Sequence, residues 1–187
     1  MSALGQYYNF KIFTRHYLEE SFFESVDIVC FPGGLGQSDE FDRLTTYHRE
    51  PIKKFIERGG KYLGICMGAY WADEFYFNIL KDVRVVQYIK QPGANTKRPH
   101  PKHMPVYWNG IPEHMFFYDG CTFTGSNFKI VAKYATDHPM AIIQDRIGLI
   151  GCHPESEKYW YDEYYWMKKL WVNNYHKELL LDFVNDI

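Results

Sequence analysis

The sequence has no CxxC pair and no apolar run approaching the roughly 20 residues that cross a bilayer. Its opening, MSALGQYYNFKIF, has no basic segment leading into an apolar one. These absences argue against a structural zinc site or a redox dithiol, against a spanning helix, and against a secretory leader. Net charge is −2, so no overall basic field recruits nucleic acid. No glycine turn is followed by Lys-Ser or Lys-Thr, which excludes a P-loop, and no residue pattern calls for a cofactor or a metal. No linker and no internal repeat divides residues 1–187, which read as one domain. The four cysteines, Cys30, Cys66, Cys121 and Cys152, are widely spaced and read as reduced thiols in a cytoplasmic setting. The chain is rich in apolar and aromatic residues, 46 % and 19 % with 16 Tyr, 14 Phe and 5 Trp, enough for a dense core or a partner surface.

The first third alternates between strand and helix patterns. Residues 10–13 (FKIF) and 26–31 (VDIVCF) read as strands, the second stopped by Pro32-Gly33-Gly34. Residues 44–58 carry helical spacing, with Ile52, Phe55 and Ile56 at i, i+3 and i+4 and Gly59 as the stop. Residues 62–65 form the next apolar strand, and 67–75 read as a helix. Such alternation predicts an α/β fold with a mostly parallel sheet and helices on both faces. Further strands are expected over 83–89, 106–108, 115–117 and 128–134, with a hairpin of 140–143 and 147–152. Residues 91–105, Pro-rich and basic, read as a surface loop. From Ser156 onwards an aromatic helix, or two, closes the chain, with Trp160, Tyr164, Met167 and Trp171 as core cover.

Three short stretches carry chemistry. In KYLGICMGAYWA (61–72) an apolar strand stops at Cys66, with Gly64 and Gly68 two positions to either side. A sharp strand-to-helix turn exposes its central residue and needs minimal neighbours, which is the logic of a nucleophile elbow with Cys for Ser. The following helix start favours the thiolate, and the Met67 N–H is placed to face an oxyanion. The second stretch is Gly151-Cys152-His153-Pro154-Glu155. It puts His153 at a strand end, as base for the thiol, with Glu155 to orient the imidazole. The third, Phe31-Pro32-Gly33-Gly34-Leu35-Gly36, offers free N–H groups in a glycine turn for a second oxyanion donor.

In this order the three stretches resemble the class I glutamine amidotransferase-like superfamily, and FPGG with RGGKYLGICMGAYWA is most similar to its biotin-protein ligase N-terminal domain branch. The resemblance implies a flavodoxin-like, three-layer α/β sandwich. It also implies Cys66 as nucleophile, His153 as base and Glu155 as its orienter, with Gly34 and Met67 N–H groups as the oxyanion hole and Gly33 and Tyr70 at the substrate pocket. The function expected is cysteine-dependent hydrolysis of an amide or γ-glutamyl group through a thioester. The substrate is then a small amide or a peptide, and a synthetase or ligase partner protein takes any ammonia released, since no ATP-binding motif is present. Two features depart from the superfamily. Tyr70 stands where glutamine-using members carry Gln, which puts glutamine specificity in doubt. The usual first strand has no room, because residues 1–8 would already be the first helix; either the sheet has lost an edge element, which leaves an exposed edge, or the start codon is placed late.

Two rivals stay open. A protease or stress protein of the DJ-1/PfpI type would have His after the elbow cysteine, where Met67 stands. A non-catalytic binding or regulatory domain would keep the elbow as scaffold. His100 and His103 are too few for a metal and read as part of a lid loop. The aromatic C-terminal run also fits a homo-oligomer face.

Overall fold

The computed structural model describes residues 3–14, 18–34, 38–172 and 174–187, and of 38–47 the backbone only. Its strands and helices follow in the order β1 (Ile28–Phe31), α1 (Ser38–Glu57), β2 (Lys61–Ile65), α2 (Met67–Tyr70), β3 (Val83–Gln87), β4 (Lys102–Trp108), β5 (Ile111–Phe117), β6 (Cys121–Gly125), β7 (Lys129–Tyr134), β8 (Pro139–Gln144), β9 (Ile147–Ile150), α3 (Lys158–Asp162) and α4 (Tyr175–Asp186).

Seven strands form one sheet in the order β1-β2-β9-β8-β7-β4-β5, and β3 pairs with β6 in a second. The parallel part is β1, β2 and β9. Beyond β9 every pairing in the large sheet is antiparallel. The α/β class holds, but the expected mostly parallel sheet is a mixed one. The cause is local: β8–β9 and β4–β5 are closed by two-residue turns, and a turn that short can only reverse the chain. At Asn109-Gly110 both residues take positive φ, 48° and 82°, which matches the twist of the flanking strands.

Alternation along the strands sends side chains to two apolar clusters. Leu63 and Ile65 of β2 join Ile150, Trp108 and the α4 residues Leu180, Phe183, Val184 and Ile187. Tyr62 joins Val29, Phe31, Leu149 and the α1 residues Ile52 and Phe55. Phe31 sits among Phe13, Tyr62, Trp71 and Phe77, with ring centroids 5.1–5.6 Å away. Such aromatic pairs each add about 0.5–1.5 kcal/mol beyond the area they bury.

Several expectations are corrected. Residues 10–13 form no strand, and Phe13 instead packs its ring on Phe22 and Phe31. Residues 3–8 form turns rather than a helix, with the Tyr7 and Tyr8 amides donating to the Leu4 carbonyl. Met1, Ser2, Leu35 and Gly36 lie outside the described residues. The helix expected over 67–75 is the single turn α2, and turns carry the chain on to Phe77. β4 starts at Lys102, inside the expected loop, so His103 is a strand residue. The expected strand over 128–134 is β7, with α3 and α4 at the aromatic end. Met167 is buried there with Phe116 and Tyr161, and Trp160, Tyr164 and Trp171 pack against that cluster as cover.

Candidate active site

Three parallel neighbours deliver the three motifs to one edge of the sheet. The register aligns Phe31 with Gly64 and Ile65 with Ile150, so Pro32-Gly33, Cys66 and Gly151–His153 all emerge there. The Cys66 amide donates to the Ile150 carbonyl at 2.7 Å, which fixes the cysteine against the end of β9.

Cys66 has φ 50° and ψ −103°. A non-glycine residue held there stores roughly 1–3 kcal/mol of backbone strain. The surroundings that enforce it explain the flanking glycines. A Cβ on Gly64 would lie 2.5 Å from the Gly68 carbonyl oxygen, and one on Gly68 would lie 1.9 Å from that of Phe31. Neither backbone can give way, so this turn packs on β1 only with both side chains absent. The Tyr62 hydroxyl donates to the Gly68 carbonyl at 2.6 Å and ties the turn to β2.

His153 is held by its backbone and by its ring. Its amide donates to the Phe116 carbonyl at 2.9 Å, and Nδ1–H donates to Glu155 Oε1 at 2.8 Å. That bond leaves Nε2 as the other ring nitrogen for a further partner. The ring is 5 % exposed. Burial opposes charge on it, but the Glu155 carboxylate and then the neighbouring Cys66 sulfur outweigh burial and push the imidazole up to about 10. Cys30, Cys121 and Cys152 show the opposite control. Burial raises all three thiols, Cys30 to about 12.

Gly33 is the contact between the motifs. A Cβ there would lie 2.3 Å from His153 Cε1 and 3.3 Å from Cys66 Cβ. Gly34 is exposed, with nothing within 4 Å of an added Cβ. Among the described residues neither its amide nor that of Met67 has a backbone acceptor. Tyr70 borders the site, and its hydroxyl donates to the Asp119 carbonyl at 3.4 Å. So the structure gathers Cys66, His153, Glu155 and Gly33, with Met67 and Tyr70 beside them.

Sequence reasoning missed the wall opposite. The Cys66 thiol donates to the Tyr118 carbonyl at 3.5 Å. Gln87 Nε2 donates to both Asp119 carboxylate oxygens, at 2.6 and 2.7 Å. Trp160 and Phe116 set their rings edge-on to His153, with centroids 5.3 and 5.8 Å away. Asp119-Gly120, a turn pair straight after an apolar strand, was the available signal for the first two. Nothing local marks Trp160. Among the described residues no group of three or more His, Cys, Asp or Glu is arranged to hold a metal ion, and no helix is long and apolar enough to cross a membrane.

The fold is that of solved glutamine amidotransferases. One such crystal structure superposes with a TM-score of 0.64 at 19 % identity, covering 82 % of each chain. A GMP synthase-type protein from Thermoplasma acidophilum gives 0.62 at 18 % identity, over 98 % of this chain and 84 % of that one. A glutamine amidotransferase from Thermotoga maritima gives 0.51 at 16 %, over 86 % and 70 %. In sequence, residues 1–87 match the family described as biotin-protein ligase, N terminal. The biotin–protein ligase of Schizosaccharomyces pombe (strain 972) is 28 % identical, over 70 % of this chain and 26 % of its own length, so the chain spans about a quarter of that relative. The chain is thus similar to the glutamine amidotransferase-like superfamily near its biotin-protein ligase N-terminal branch.

Proposed function

We propose that this chain is a glutamine amidotransferase-like cysteine hydrolase, with Gly64 to Gly68 as a nucleophile elbow in a three-layer α/β frame. The observation that carries the reading is the close set of Cys66, His153 and Glu155 at the ends of adjacent parallel strands. In this reading His153 Nε2 already holds the thiol proton, and the sulfur attacks the amide carbonyl as a thiolate. The Gly34 and Met67 N–H groups receive the oxyanion. The imidazolium, held charged by Glu155, then protonates the leaving nitrogen as the C–N bond breaks, leaving a thioester on Cys66. Water, deprotonated by His153, cleaves the thioester and frees the acid. The amine or ammonia released goes to a synthetase or ligase partner protein.

A non-catalytic binding domain is the second reading. Tyr70 favours it, because its ring and its bond to the Asp119 carbonyl occupy the position that glutamine-using members give to Gln. Ammonia release from L-glutamine and γ-glutamyl amides separates the two. The hydrolase reading expects release that Cys66→Ala abolishes. Release equal in wild type and Cys66→Ala, or none from any amide tried, contradicts it.

A further inference from the structure

Glu155 uses only half of its carboxylate on His153. Oε1 accepts the Nδ1–H bond, while Oε2 is buried with no protein partner. Among the described residues, the buried side-chain nitrogen and oxygen atoms without a hydrogen-bond partner are Glu155 Oε2, Ser156 Oγ, Tyr161 Oη, His103 Nε2 and both ring nitrogens of His176. They belong to five residues, and those five lie together. Ser156 and Tyr161 are 1 % and 0 % exposed. The Ser156 hydroxyl and the Phe116 amide lie close enough to temper the rise of the Tyr161 phenol, which burial pushes up to about 12, although the hydroxyls complete no hydrogen bond. Glu155 acts on the same phenol. The Tyr161 ring stands edge-on to His103, centroids 6.0 Å apart, and His103 lies 5.1 Å from the exposed His114. His176 of α4 closes the far side, with Nε2 3.5 Å from Glu113 Oε2.

A buried polar atom left without a partner is destabilising. Five residues carrying such atoms, drawn from four segments of the chain, mark a built feature rather than a stray defect. Internal water takes two to four polar partners, and this lining supplies them from several sides. The seam starts at the carboxylate oxygen turned away from His153 and leads towards His114 at the surface.

We propose that Ser156, Tyr161 and His103 line a water-binding seam that holds ordered water on the free oxygen of Glu155 and so fixes the carboxylate against His153. Ser156 and Tyr161 are positioning residues, since they act through Glu155. A carboxylate fixed against Nδ1–H favours the charged imidazole. The groups that face this path are Glu155 and Cys66 at His153, Cys152 and Glu155 at Tyr161, His114 and His176 at His103, and Glu113 and His114 at His176. The seam's role in chemistry rests on the hydrolase reading, but its hold on Glu155 does not.

The test follows the His153 ring nitrogens by 15N NMR through a pH titration of wild type, Tyr161→Phe and Ser156→Ala. Tyr161→Phe keeps the ring and removes only the hydroxyl, and Ser156→Ala serves if that variant fails to fold. Loss of one hydrogen bond to a charged group is expected to lower the imidazolium-to-imidazole ratio at fixed pH by about tenfold. A crystal structure is expected to place ordered water within hydrogen-bond distance of Glu155 Oε2. A His153 titration unmoved in both variants, or a dry Oε2, overturns the seam. Neither result depends on amide hydrolysis, so the seam and the hydrolase reading fail separately.

Discussion

At the scale of single residues, the site is built by what is missing as much as by what is present. Gly33 carries no side chain because the space belongs to the His153 ring. Gly33→Ala is therefore expected to fold, with a thermal melt close to wild type, and to displace the imidazole from Cys66. A shift of about 1 Å between reacting groups costs on the order of 100-fold. The iodoacetamide reaction of Cys66 at neutral pH should slow by that order, and an unchanged rate would mean that the Gly33 contact does not set the geometry. The tight turn at Gly64, Cys66 and Gly68 was legible from five letters, because a strand stopping between two glycines has few mechanical solutions. Glu155 was legible as a partner for its near neighbour His153. The partners from distant parts of the chain, Gln87 with Asp119 and Trp160 with His153, were not, since they meet only through the tertiary fold. Gln144, read as part of a hairpin turn, is 2 % exposed and bonds with Lys81 and Asn127.

Among the elements, the strands that read most clearly were those buried on both faces. β2 and β9 are continuous apolar runs, which a parallel core requires. β6 was missed because Gly120 and Gly125 break up its pattern. The helix expected after Cys66 fails after one turn, and a single turn carries little macrodipole. β4 was shortened because Pro101 and Pro105 made its first half look like a loop. That error placed His103 on a lid when it stands in a strand facing Tyr161 and α4. Burial, with His114 and His176 adjacent, lowers His103 to about 4 from an ordinary value of 6.5. Between those limits the unfolded chain binds a proton that the native state refuses. The stability present above pH 6.5 is thus lost as pH falls towards 4. Denaturant midpoints measured across this window should fall, and His103→Gln should flatten the fall. An equally steep fall in the variant would assign it to other groups.

For the whole molecule, the mixed sheet explains how a site assembles from ends of the chain far apart in sequence. β9 inserts between β2 and β8, so His153 reaches Cys66 across 86 intervening residues. The family match over residues 1–87 contains Cys66 but not His153 or Glu155, while one likeness in fold covers 98 % of the chain. The parallel strands and their turns were readable as an α/β frame. The antiparallel half was not, because pairing order follows from hairpin turns and from packing that no single segment displays. The central claim is that this frame makes one thiol of four reactive. It is tested most directly by the pH profile of iodoacetamide alkylation, read by mass spectrometry at each cysteine, in wild type and His153→Ala. The account predicts that Cys66 reacts at neutral pH at least tenfold faster than Cys30, Cys121 and Cys152, and that His153→Ala removes the advantage. A Cys66 no faster than Cys30, or equally fast without His153, would contradict it.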